Sequence, residues 1–533
     1  MPLLNWEGRD GALTVAKTIP YRLLKEDRSL SYGDPETPNL LIHGDNLDSL
    51  KALMPYYGGR VKCVFIDPPY NTQSAFVHYD DAVEHAAWLS LMTPRLQLLR
   101  DLLAEDGTLW VTIDDAEGHY LKVLLDELLG RENFIGEAVW VKTSSVHNNA
   151  EYFSSAHDSI YVYAKRHSPR TSGAAKKSLI PGTFARFNRV PRSERNASDY
   201  RNPDNDPRGP WADSPLHVSL TSGARGKQYA KTRKDPGLYK IDRPVDGEPI
   251  WPPPGRTWAY SPETVCEFNA QGLIYWGPDG TNQPRIKRYL NEAKQGVVPT
   301  TVWGYDEVGH NQEAKKDVAQ VLANPGDVFA TPKPERLIER ILTIATNPGD
   351  LVLDSFLGSG TTAAVAHKMG RSYIGIESGD HAISHCVPRL KAVIDGDQHG
   401  ISKSAEWHGG GGFRFYNLGN PVLDEYGSVR EDVKFRDLAA LLWFLETGQG
   451  LSKVPRSPFL GEWGGVGRYL LFNGILGDRR PNGGNILTSK TLAALPTFDG
   501  PKIVYGEATR LGLSRLESNR ITFKQIPHDL RSL

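Results

Sequence analysis

Four consecutive residues, Asp67-Pro68-Pro69-Tyr70, combine a carboxylate, a carbonyl beside a residue with no N–H, and a flat ring. Neither proline can continue a strand, so the segment is a stiff turn. Its groups suit a planar substrate that bears an amino group. The Asp67 carboxylate and the Pro68 carbonyl can accept both amino hydrogens while Tyr70 stacks on the ring. A second group lies far along the chain, where Asp354-Ser355-Phe356 leads into Leu357-Gly358-Ser359-Gly360-Thr361-Thr362, and Glu377 follows. Glycines let backbone approach a ligand closely, and a carboxylate at the end of the next strand can accept hydrogen bonds from ribose hydroxyls.

The elements that must position these groups are legible from hydrophobic pattern. Val61 to Ile66 is an apolar, β-branched run that predicts a buried strand ending at Asp67. Leu40 to His43 predicts a strand before Gly44-Asp45, and a helix follows from Asn46 to Leu53. Trp88, Leu91, Met92, Leu96 and Leu99 share a helical spacing within a helix expected from Glu84 to Ala104. Thr108 to Ile113 is the next strand, closed by Asp114-Asp115, and a helix from His119 to Leu129 stops at Gly130. In the second half, a helix opens after Pro332-Lys333-Pro334. Leu351 to Phe356 is a strand, Thr362 to Met369 a helix, and Tyr373 to Glu377 a strand. Strands alternating with helices at this spacing predict an α/β fold with a parallel sheet, and such sheets bind ligands at the carboxyl ends of their strands.

Several residues admit two readings. Asp45 suits either a helix N-cap or a cofactor contact. Asp114-Asp115 could serve a metal, but acids also fit the turn before a helix, and that reading is preferred. Gly358, Gly360 and Ala363 fit the dinucleotide fingerprint GxGxxA, so an NAD enzyme is the natural rival; a Walker A loop fails because no Lys-Ser/Thr pair follows.

Asp67-Pro68-Pro69-Tyr70, with Asn71-Thr72 after it and Asp354-x-Phe356-x-Gly358-x-Gly360 later in the chain, resembles the motif pair of β-group DNA amino-methyltransferases. The order, catalytic motif before cofactor loop, is that group's. Within it the chain is most similar to the methylation (Mod) subunits of Type III restriction-modification systems, for which it is compact. The resemblance implies a Rossmann-like, circularly permuted methyltransferase fold that uses S-adenosylmethionine, with an inserted DNA target-recognition domain and a small C-terminal domain. It implies adenine N6 as the acceptor, flipped out of double-stranded DNA and held by Asp67, Pro68, Pro69 and Tyr70. It places Asp45 near the cofactor adenine, Lys333 near the cofactor's carboxylate end, Asp354, Phe356, Gly358, Gly360 and Thr361 around its methionine moiety, and Glu377 on its ribose. It implies no metal, a homodimer and a separate restriction subunit. Alternatives are cytosine N4 as the acceptor, or a DNA-recognition subunit without turnover of its own. C5-cytosine chemistry needs a nucleophilic thiol, typically in a Pro-Cys pair, and none of the three cysteines follows a proline.

Composition sets the remaining bounds. With 62 Lys+Arg against 63 Asp+Glu the net charge is −1, so any DNA-binding surface must be local. It is local in one place: Lys165 to Lys240 carries 17 Lys/Arg against 6 Asp/Glu, with Phe184, Phe187, Tyr200, Trp211, Tyr229 and Tyr239 interleaved. A further aromatic cluster, Trp251, Trp258, Tyr260, Tyr275 and Trp276, follows. A basic, loop-rich segment with aromatics suits phosphate neutralisation and base reading, and a solvated insertion is the bland alternative. Scattered cysteines and the lack of a long apolar run suggest a soluble cytoplasmic protein of a bacterial or archaeal cell. The expected divisions are an arm at 1–38, catalytic half at 39–164, target-recognition insertion at 165–310, cofactor half at 311–419 and a C-terminal domain at 420–533 for dimerisation or partner docking.

Overall fold

The computed structural model describes residues 3–71, 84–143, 145, 152–167, 185–190, 200–220, 237–290, 297–321, 331–451, 453–475, 477, 478, 480, 483–526 and 528. It contains two compact units, one formed by 1–188 with 300–533 and the other by 189–299.

The larger unit is built on a ten-stranded sheet. Its strands in chain order are β1 (Arg22–Gly33), β2 (Leu40–His43), β3 (Val61–Ile66), β4 (Leu103–Ile113), β5 (Phe134–Val141), β6 (His157–Ala164), β7 (Val302–Trp303), β8 (Leu351–Asp354), β9 (Ser372–Glu377) and β10 (Gly412–Pro421). Across the sheet they run β1-β10-β2-β9-β8-β3-β4-β6-β5-β7. The six strands from β10 to β4 are mutually parallel, and β1 and β6 run against them. The two halves of the chain meet at the β8–β3 pair, where Val352 faces Cys63 and Leu353 faces Val64. The sheet is thus the largely parallel α/β sheet expected, with the half that carries Asp67 first in sequence.

Each expected element near that junction forms, for the reasons its residues give. In β3 every residue but Lys62 is buried, which fits a parallel strand covered on both faces. The helix His85–Leu102 buries Trp88, Met92, Leu96 and Leu99 on one side of the sheet. The helix Glu335–Ala345 buries Leu337, Ile338, Ile341, Leu342 and Ile344; each such side chain removed from water contributes about 1.5–3 kcal/mol. This helix stops at Thr346, whose backbone is extended, ahead of the Asn347-Pro348 pair that disfavours another helical turn.

One region differs from the sequence expectation. Residues 1–38 are more than an arm: β1 pairs antiparallel with β10 and forms the edge of the central sheet. The glycine run 409–412 leads into β10, an interior strand. A Cβ at Gly412 would lie 2.4 Å from the Asp34 backbone nitrogen, and Gly409, Gly410 and Gly411 all hold positive φ. Only glycine lets the chain enter the sheet this closely against β1.

In the second unit, Trp211–Pro215, Ile274–Tyr275 and Arg285–Tyr289 form a three-stranded sheet. Leu216, Trp258, Val265, Ile274, Trp276 and Ile286 make its core, with Tyr239 and Tyr260 packed against it. These aromatics were expected at a base-reading surface; most serve the fold instead, and Trp251 alone of the tryptophans named there is exposed. The C-terminal segment carries its own four-stranded sheet, Phe459–Trp463, Val466–Leu470, Lys502–Gly506 and Ile521–Gln525. The helix Phe435–Thr447 buries Leu438, Leu441 and Leu442 in a cluster with Leu470 and Tyr505. Among the described residues no helix is long and apolar enough to cross a membrane.

Candidate active site

Because β3 and β8 are neighbours, the turn after β3 and the loop after β8 emerge side by side. Asp67 is close enough to Asp354 to oppose its ionisation. This is the point where strand order reverses, the usual ligand crevice of an open α/β sheet.

The Asp67 carboxylate is held at both oxygens. Thr112, on the adjacent strand β4, donates its hydroxyl to Oδ1 at 2.6 Å. Lys333 donates its ammonium to Oδ2. The same ammonium lies 5.1 Å from the Tyr70 ring centroid and 6.0 Å from that of Trp140. The turn itself is pinned from beneath. Trp88 Nε1 donates to the Pro69 carbonyl at 2.8 Å, which leaves the bond off Pro68. Asn71 holds a left-handed φ of 60°, and its side-chain amide donates to Glu117 Oε1 at 2.6 Å, the oxygen that also meets His85 Nδ1. Tyr70 donates its hydroxyl to Asp158 Oδ2 at 3.3 Å, and Asp158 is paired with Lys142 at 2.7 Å. Burial, then the Asp158 and Asp67 charges, hold the Tyr70 phenol well above its ordinary range, so it stays protonated. Burial also lifts Asp114, at the end of β4, to about 6, with Asp158 adding to the effect.

On the β8 side, Asp354 is buried and accepts from Thr362 Oγ1 at 2.6 Å and from the Phe356 amide at 3.0 Å. Burial still lifts its carboxyl to about 7, against those two donors. Gly358 and Gly360 hold φ of 56° and 82°, left-handed values that bring the loop round into the helix Thr361–Lys368. Glu377 is buried behind the loop, where Oε2 accepts the Gly358 amide at 2.7 Å and Oε1 the Gly379 amide at 3.0 Å. Arg389 donates to Thr361 Oγ1 at 2.9 Å and pairs with Glu335 at 2.8 Å, while Lys368 reaches the second Glu335 oxygen at 3.0 Å. This buried ionic cluster fastens the loop to the helix that follows Lys333.

Of the residues singled out from sequence, the turn 67–70, Lys333, Asp354 and the glycine loop gather at one end of the β8–β3 pair. Asp45 takes the cap geometry: Oδ1 accepts the Leu47 and Asp48 amides at 2.8 and 3.2 Å, and Oδ2 meets Arg95 at 3.0 Å. Its side chain is 55% exposed, so it retains an open face. Lys333, which the resemblance put beside the cofactor's carboxylate, pairs here with Asp67. Thr112, Lys142, Asp158 and Glu117 were not singled out. A threonine in a strand and isolated charges carry no motif; only the sheet order brings them to the turn.

The family model for DNA methylases matches residues 61–387, which begins at the first residue of β3 and spans both the Asp67 turn and the glycine loop. The chain belongs to the DNA methylase family. It is 31% identical over 418 residues to a probable type III restriction-modification enzyme HindVI Mod subunit of Haemophilus influenzae, covering 71% of this chain and 54% of that protein. It is 32% identical over 360 residues to the type II methyltransferase M.EcaI of Enterobacter cloacae, covering 66% and 69%. A solved PvuII DNA methyltransferase, described as cytosine-N4-specific, aligns over 69% of this chain and 91% of its own at 13% identity and a TM-score of 0.36. The chain spans about half the length of the type III relatives it matches.

Proposed function

We propose that this protein methylates N6 of an adenine flipped out of double-stranded DNA, using S-adenosylmethionine, as the modification component of a restriction-modification system. The reading rests on one observation above others: the doubly held Asp67 carboxylate and the left-handed glycine loop share adjacent strand ends. The loop also fits the cofactor. The Ser355 hydroxyl beside it is buried with no hydrogen-bond partner among the described residues, and Glu377 lies buried next to the loop. Asp354, Phe356, Gly358, Gly360, Thr361 and Glu377 would hold the molecule, and Asp45 offers a further acceptor. When bound, it supplies an electrophilic methyl group on a sulfonium.

The chain's residues then do the positioning. Adenine N6 is a weak nucleophile because its lone pair is delocalised into the ring. Asp67 and the Pro68 carbonyl accept its two hydrogens, which turns the lone pair out of conjugation and towards the methyl group. Tyr70 stacks on the base, and its protonated hydroxyl stays on Asp158. Asp67 need not be a strong base, because the nitrogen becomes acidic only as the new bond forms. Catalysis is then orientation plus fixed charge.

Single-molecule methylation sequencing of DNA from cells expressing the protein tests this directly. N6-methyladenine in one asymmetric motif is the expected product; no modified base, with soluble protein present, would refute the reading. Light scattering of the purified protein checks the proposed homodimer, and co-purification with a restriction subunit checks the proposed partner.

Two smaller effects follow from the geometry. Thr112→Val keeps the side-chain shape and removes the donor to Asp67 Oδ1, so single-turnover methyl transfer should slow about tenfold, the worth of one hydrogen bond to a charged group. A second concerns pH. With its carboxyl lifted to about 7, Asp354 is partly protonated at neutrality. A cationic ligand favours the ionised form, so binding releases a proton and affinity rises with pH through that range. The Kd for S-adenosylmethionine should fall about threefold from pH 6 to pH 8. Calorimetry should show a weaker trend for S-adenosylhomocysteine, which lacks the sulfonium charge.

A further inference from the structure

Glu117 is a fully buried carboxyl group that the chemistry proposed above does not use. It stands just after β4, at the N-cap of the helix Gly118–Leu125, where an acidic side chain ordinarily accepts the leading amides. Its side chain makes no such bond. It reaches instead to the Asp67 turn, where Oε1 accepts the Asn71 side-chain amide at 2.6 Å and meets His85 Nδ1 at 2.5 Å. Oε2 is buried with no hydrogen-bond partner among the described residues. An unmatched buried oxygen costs stability, and so does a forgone cap. Glu117 is thus poorly placed for its own helix, and what it gains lies at the turn.

The group it holds is the residue that closes the turn. Asn71 follows Tyr70 directly, is buried, and carries a φ of 60°. Glycine would adopt that backbone with less strain, so asparagine is explained by the amide it brings, which Glu117 receives. On the other side of Tyr70, Trp88 Nε1 bonds the Pro69 carbonyl at 2.8 Å. His85 and Trp88 lie one turn apart at the start of the helix His85–Leu102. Pro69 and Asn71 are therefore tied to the same helical turn, Pro69 directly and Asn71 through Glu117. Tyr70 sits between the two ties. The His85 ring also lies 5.5 Å from that of Tyr120, on the helix that Glu117 opens, so both helices converge on the turn.

We propose that Glu117 is a positioning residue for methyl transfer. By holding Asn71 in its left-handed conformation it fixes the plane of the Tyr70 ring and the direction of the Pro68 carbonyl, and through them the target amino group. The inference rests on the functional reading above and deepens it. Glu117 acts through Asn71 and contacts neither the base nor the cofactor. A misplacement of about 1 Å at a reacting centre costs on the order of a hundredfold in rate, so the effect falls on the chemical step.

The test is single-turnover methyl transfer by the full-length protein on a duplex carrying the motif that the parent methylates, with Kd values and melting temperatures measured alongside. Glu117→Ala should slow transfer about a hundredfold, with the Kd for S-adenosylmethionine and for the duplex within about threefold of the parent. Glu117→Gln keeps a carbonyl acceptor for Asn71 and should recover most of that rate. Asn71→Gly keeps the left-handed backbone and removes the amide. It should be as slow as Glu117→Ala, and combining the two should cost nothing more, because the same link is broken either way. Asn71→Gly also gives a readout if Glu117→Ala does not fold. A parent-like rate in Asn71→Gly or in a folded Glu117→Ala overturns the inference. So do additive losses in the double variant, or losses that track melting temperature with Gln no better than Ala, which mark a structural role. A parent that methylates no duplex is a separate outcome, which refutes the functional reading and this inference with it.

Discussion

Asp67→Ala should lower methyl transfer by at least about a thousandfold, at the upper end of what removing one oriented group at a reaction centre costs. The Kd for S-adenosylmethionine should change less than about threefold, because the proposed cofactor contacts lie on the loop after β8. Asp67 is 23% exposed in its side chain, and its partners Thr112 and Lys333 remain on separate elements, so the fold should survive. Asp67→Asn sharpens the test. It retains one carbonyl acceptor but turns an amide donor towards Thr112 or Lys333, so activity should fall between parent and Ala variant. Rapid-quench transfer of a labelled methyl group gives the rate, and calorimetry the affinity. An Ala variant with rates near the parent would end the assignment of Asp67 as the acceptor of the target's amino group.

The sequence revealed most where one strand carries one motif. Val61 to Ile66 is apolar enough to be a buried strand whatever lies beside it, and two prolines must end it. The glycine loop was equally readable, because left-handed backbone at Gly358 and Gly360 needs glycine. What escaped were features created by strands that are neighbours in space only. Thr112 reads as an ordinary strand residue until β4 pairs with β3 and sets it against Asp67. Asp158 stands on β6 and Lys142 just past the end of β5, and only the antiparallel pairing of β6 with β4 and β5 brings them to the turn. Aromatics beyond Lys165 were legible as a cluster but not as a core: composition cannot distinguish Trp258, fully buried, from Trp251, 56% exposed. Glu377 was expected from the resemblance to hold a ribose. In the structure its Oε2 accepts the Gly358 amide of the loop and its Oε1 the Gly379 amide two residues on, contacts that no spacing announces.

Lys333→Met decides between two assignments of one side chain. Resemblance puts Lys333 at the cofactor's carboxylate, whereas its ammonium here pairs with Asp67 Oδ2 and lies near the Tyr70 and Trp140 rings. Its side chain is 10% exposed, so the pair is poorly screened and its loss leaves the Asp67 carboxylate without its nearest cation. A carboxylate offers about four acceptor positions, so Asp67 can keep Lys333 and Thr112 while taking the target's amino hydrogen. On this geometry Lys333 fixes the rotamer of Asp67 rather than competing with the substrate. The variant should then lose about a hundredfold in kcat, with the cofactor Kd within about threefold of the parent. Lys333→Arg, which keeps the charge but not the compact ammonium, should recover part of the rate. If Lys333 instead serves the cofactor, the pattern inverts: Kd rises at least tenfold and kcat at saturating cofactor is largely kept. The split between kcat and Kd therefore reads out which carboxylate the lysine holds during turnover, Asp67's or the cofactor's.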